Sequence, residues 1–239
     1  MGALLGEFGL PPDAVTNLSV HLRLPHATLV DLLRRATEIS GDPLFGLRAA
    51  FDFDFVVLAK IDIETPFLPF QLFVNSATVA DALERYARYY AVAHDTARVV
   101  FERDAKSGRV HYEIPGDPLP FPGHVELVLG MILKALRDVS SVPLAPTEVH
   151  FAHAAQAPIP EYERLLGAKV HFETERSGFV LDSAGLDVAL CTPRPALLRA
   201  LERSAAALLG GEPPRHTLAE QVRASLAASL ARGVPRPEE

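Results

Sequence analysis

The chain has 239 residues, 49% of them hydrophobic, with a formal net charge of −7 and a single cysteine, Cys191. That length buries a sizeable core, while the acidic balance and the lack of a Lys/Arg run argue against these residues as a nucleic-acid surface, which works by neutralising phosphates. One cysteine rules out an internal disulfide framework, "MGALLGEFGLPP" is no signal peptide, and no window nears ~18 consecutive apolar residues, so a cytoplasmic chain that spans no membrane is expected.

"PHATLVDLLRRATEISGDPLFGLRAA" predicts two consecutive helices. Leu29, Leu32, Leu33, Ala36 and Ile39 share one face of the first, and Gly41 is its natural stop. Asp42 and Pro43 then read as cap and first residue of the second. In the next stretch Phe51, Phe53 and Phe55 alternate with Asp52 and Asp54, a strand signal. "NSATVADALERYARYYAVAHD" predicts a helix capped by Thr78, with Asp81 three residues on. "ARVVFERDAKSGRVHYEI" reads as a hairpin whose Gly108 is free to take a positive φ. "HVELVLGMILKALRDV" is apolar around most of its circumference, so a buried helix is expected. "TEVHFAH" predicts a strand, "PEYERLLG" a short helix ended by Gly167, and "KVHFET…GFVLD" a further strand pair. "PALLRALERSAAALL" is an amphipathic helix. Residues 210–216 read as a linker, and the last helix opens on a capping box, Thr217 with Glu220. Leu218, Val222, Leu226 and Leu230 lay a thin apolar stripe along it. Helices interleave with mainly antiparallel strands and no Rossmann-type repeat appears, so the fold class is α+β.

Catalytic signatures are missing. His150 and His153, three apart in a predicted strand, lie on opposite faces and cannot chelate one metal without a bulge. No GxSxG, P-loop or GxGxxG occurs, and carboxylate pairs such as Asp52/Asp54 and Glu161/Glu163 read as solvated faces. Neither an enzyme nor a metal or cofactor is expected. Six of the 13 phenylalanines fall between Phe51 and Phe73. That stretch reads either as core or as the lining of an apolar pocket. In the second case the candidate ligand-binding residues are Phe53, Phe55, Phe67, Phe70, Phe73, Tyr86 and Tyr90.

Five motifs, in order, carry a likeness: "LLRRATEISGDPLFGLRAA", "SATVADALERYARYY", "PTEVHFAHAAQAPIPEYERLLGAKVHFE", "GFVLDSAGLDVAL" and "LAEQVRASLAASLARG". With them the chain resembles the N-terminal, arabinose-binding-type effector domain of the AraC/XylS family of bacterial transcription regulators. The resemblance implies a domain that binds a small-molecule effector and pairs with a second copy. It also implies that DNA is reached only through a C-terminal helix-turn-helix module, which this sequence stops short of. Where relatives carry glycines before "SATVADAL", this chain has "DFVVLAKIDIETPFLPFQLF", so its pocket region is its own. The organisation expected is an effector-binding and dimerisation domain over 1–209, the linker 210–216, and a connector helix over 217–239. Leu197, Leu201, Ala205 and Leu208, on one side of the Pro195–Leu209 helix, are the candidate homodimer contacts, unless that face packs on its own domain. A stand-alone small-molecule-binding protein is the alternative reading.

Overall fold

The N-terminal helices follow from their punctuation. The computed structural model describes residues 2–11, 25–53, 68–117, 119–191 and 193–209. A short α1 (Gly2–Glu7) precedes α2 (His26–Ser40), which ends where Gly41 turns left-handed at φ 65° and returns its N–H to Thr37. The second helix, α3 (Phe45–Asp52), starts later than predicted. Asp42 spends its carboxylate on the Leu44 N–H at 2.9 Å, closing a turn that leaves Pro43 outside the helix.

The predicted strand beginning at Phe51 is a correction. Phe51 and Asp52 are the last residues of α3, because Leu47 and Ala50, both fully buried, set a helical period against the long helix α6 (Pro122–Val139). That packing is close. A Cβ on Gly46 would lie 2.0 Å from the Gly123 carbonyl, and one on Gly130 would lie 2.8 Å from the Ala50 side chain. Tertiary contact outweighs the local Phe/Asp alternation. Phe53 is extended, and residues 54–67 lie outside the described part.

Then α4 (Leu68–Val74) leads into α5 (Val79–Tyr89), whose Thr78 cap accepts the Asp81 N–H as the sequence anticipates. Strands β1 (Arg98–Arg103), β2 (Ser107–Glu113), β3 (Glu148–His150), β4 (Lys169–His171) and β5 (Gly178–Asp182) form one sheet in the order β1-β2-β5-β3-β4. All pairs are antiparallel except β3 with β4, whose crossover is α7 (Ile159–Leu166). The "KVHFET" and "GFVLD" runs are therefore strands but not partners, since β3 lies between them. Gly108 is not the turn residue either. Asp104 Oδ1 holds the hairpin by accepting the Lys106 and Ser107 N–H groups at 2.8 and 2.9 Å. Gly108 sits in β2, where a Cβ would crowd Phe101 and Leu186.

The main core joins Leu129, Leu133 and Leu136 of α6 to Val110, Val149 and Phe179 of the sheet. After the short α8 (Ser183–Leu186), α9 (Pro195–Leu208) closes a second cluster with Leu68, Leu72, Tyr89 and Val92. The Arg85 Nε–Glu202 Oε1 ion pair at 2.8 Å ties α9 to α5. Among the described residues no helix is long and apolar enough to cross a membrane.

Candidate functional site

Two neighbouring features stand out. The first is a row of rings. Phe70 meets Phe73 at 6.2 Å, Phe73 meets Tyr86 at 5.5 Å, and Tyr86 meets Tyr90 at 5.3 Å. Tyr90 stacks on His94 at 4.4 Å and reaches Tyr112 of β2 at 6.4 Å. From Tyr112 the row runs on to His124 at the start of α6, 5.7 Å away, and then to His26 at the start of α2, 4.8 Å further. Tyr86 and Tyr90, four residues apart, fall on the same side of α5 and its end, where their rings meet. Of the predicted ligand-binding residues, Phe70 and Tyr86 are half-buried in this row, while Phe73 and Tyr90 are buried. Phe53 packs on the edge of the core, and Phe55 and Phe67 lie outside the described residues. Burial pushes the Tyr86, Tyr90 and Tyr112 phenols well above their usual range, so these three hydroxyls stay protonated.

The second feature is a cleft of about 580 Å³ where the start of α2, Asp117 with residues 119–122 at the entry to α6, and the loop 153–156 meet. His26 belongs to both the row and the cleft wall. The cleft's buried side is polar. His153, 5% exposed, donates from Nδ1 to the Ala154 carbonyl at 2.9 Å, and its Nε2 lies 3.6 Å from Glu126 Oε1. Glu126 is inaccessible to solvent and accepts a 2.8 Å bond from the Tyr162 hydroxyl. Desolvation drives Glu126 up to about 8, opposed by the Tyr162 bond, and holds His153 below its ordinary value. Desolvation also takes His124 down to about 3. His150 points elsewhere, stacked on His171 at 5.1 Å and 3.1 Å from Glu148.

Residues 1–190 match the family described as the arabinose-binding domain of AraC transcription regulators, N-terminal. The chain belongs to this family. The crystal structure of the transcriptional regulator CdpR from Pseudomonas aeruginosa aligns with 98% of this chain and 71% of its own, with a TM-score of 0.57 and 16% identity. At that identity the likeness is one of fold. No curated protein sequence matches the chain significantly.

Membership in this regulatory family gives the aromatic row a context that periodicity alone could not. Tyr112, His94, His124 and His26 were missed. Tyr112 had a usable signal, since Val110 and Tyr112 alternate inward along β2. His124 had none, because it sits in a run that reads as plain buried helix. On α9 the predicted interface residues divide. Leu201 is 2% exposed and Ala205 fully buried within the second cluster, Leu197 is partly buried there, and Leu208 is 54% exposed. The linker 210–216 and the Leu218–Leu230 stripe lie outside the described residues.

Proposed function

We propose that this chain is the ligand-sensing regulatory domain of an AraC-type transcription regulator and holds a small effector against the Phe70–Tyr112 row. The observation that carries this reading is the row itself, in a chain of this family. Small-molecule sites are mostly apolar and aromatic with a few fixed polar groups, and the row combines phenyl faces with phenol and imidazole edges. An effector that binds two arrangements of the intact regulator unequally shifts their balance, and a helix-turn-helix module beyond this sequence would read the result out on DNA. Pairing of two copies through the outer side of α9, around the exposed Leu208, fits the same reading.

Tyrosine fluorescence tests it. The chain has no tryptophan and five tyrosines, of which Tyr86, Tyr90 and Tyr112 stand in the row. A bound effector is expected to change that emission saturably. A compound that stabilises the chain but leaves tyrosine emission untouched binds elsewhere and counts against the row.

A further inference from the structure

We propose that the cleft between the start of α2, Asp117 with residues 119–122, and the loop 153–156 is a separate binding site for a small primary-amine cation with a short apolar body. Its volume, about 580 Å³, falls within the range of small-molecule sites. Of the lining residues, His153 has a buried atom without a hydrogen-bond partner, Nε2; Glu126 Oε2 and His124 Nδ1, on residues that contact His153 and His26 from behind, are likewise unpartnered. Buried polar atoms are nearly always partnered, so His153 Nε2, on a lining residue, calls for a group that supplies a hydrogen bond. His153 itself lines the cleft, and His124 lies edge-on to the lining ring of His26.

The chemistry of the wall selects the ligand. With its Nδ1 hydrogen given to Ala154, a neutral His153 presents Nε2 as an acceptor. Glu126 Oε2 is a second acceptor once that carboxyl is ionised. Asp117 uses Oδ1 on the Leu119 N–H and keeps Oδ2. Two of the wall's side-chain donors are engaged. Arg34 bonds Asp31 at 2.9 Å and lies over the Phe121 ring, and the Gln156 amide donates to Ala154 at 2.7 Å. Two carboxylates, Asp31 and Asp117, face one guanidinium, so the wall's side chains are acceptor-rich and carry net negative charge. An ammonium group brings donors and the opposite charge, and Val30 and Leu119 suit a short alkyl body. A carboxylate ligand meets neither requirement. The inference stands apart from the effector reading of the aromatic row.

The test uses three probes with one body: n-butylamine, 1-butanol and butyrate. Each is titrated into the labelled 239-residue chain, and the His153 ring resonances are followed. Butylamine is expected to shift them saturably, with the alcohol and the acid giving no saturable change. Asp117→Asn, which keeps the Oδ1 acceptor for Leu119, should weaken the amine about fivefold, a surface charge contribution. Glu126→Gln, which keeps an acceptor for Tyr162, should weaken it as well, while Phe70→Ala should leave it unchanged. No saturable shift with butylamine, an equal response to butanol or butyrate, parental affinity in both acidic-site variants, or loss of the response in Phe70→Ala would each overturn the proposal.

Discussion

The Tyr162 hydroxyl donates to Glu126 Oε1 at 2.8 Å, joining α7 to the solvent-free side of α6. The Tyr162 hydroxyl oxygen in turn accepts the Gln156 N–H at 3.2 Å and so anchors the 153–156 loop. Tyr162→Phe leaves both partners without their bond while the ring still fills its place. A loss of about 1–3 kcal/mol is expected. Urea unfolding measures it, and a change below a few tenths of a kcal/mol would show that the bond contributes little.

Stability should depend on pH through the groups around this bond. Burial raises Glu126 from 4.5 to about 8, so its neutral form favours folding. That contribution is complete below pH 4.5 and fades as pH rises through about 8. His124, lowered from 6.5 to about 3, acts the other way. Its contribution is complete above pH 6.5 and fades as pH falls toward 3. Glu126→Gln is expected to flatten the decline between pH 4.5 and 8 while the acid limb stays. Urea midpoints across that range check this. An unchanged decline would mean that Glu126 is ionised in the fold without penalty.

Two glycines are needed for space and one for backbone shape. A Cβ on Gly46 would lie 2.0 Å from the Gly123 carbonyl, and one on Gly178 would lie 2.0 Å from the Val110 carbonyl. Backbone cannot give way there cheaply, so Gly46→Ala and Gly178→Ala should each cost about 1–3 kcal/mol. Gly41 has open space around it but a φ of 65°, so Gly41→Ala should cost about 1 kcal/mol through backbone strain alone. Denaturation of the three variants tests the ranking.

Leu201 and Leu208 separate packing from association on α9. Leu201→Glu puts a charge into the cluster of Leu68, Leu72, Tyr89 and Val92, and should lower the melting temperature sharply. Leu208→Glu alters an exposed side chain and should leave melting within about 0.5 kcal/mol. If two copies pair through this face, Leu208→Glu alone shifts the sedimentation profile toward the monomer. A folded, fully stable Leu201→Glu would contradict its burial.

Local signals with one strong cause were legible in the sequence. Thr78, Gly41 and Gly167 mark helix ends because a hydroxyl cap and a left-handed glycine act at their own positions. The apolar circumference of α6 announced its burial. Where distant partners decide, the reading failed. Phe51 joined a helix because α3 packs on α6, and β3 entered between the two strands predicted as a pair. The site behaved likewise. Phe70, Phe73, Tyr86 and Tyr90 were visible as an aromatic concentration. The polar end of the row, and the buried Glu126–His153 pair beside it, arise only when α2, α6 and two loops meet.

Thermal denaturation of the parent chain and of Phe70→Ala, each against the same library of small metabolites, tests the ligand-sensing role most directly. A ligand at a hundred times its Kd adds about 2.7 kcal/mol, several degrees for a chain of this size. The expected result is at least one compound that raises the parent's melting temperature, with Phe70→Ala still folding cooperatively but losing that response. If Phe70→Ala answers every such compound as the parent does, the effector is not held on the aromatic row.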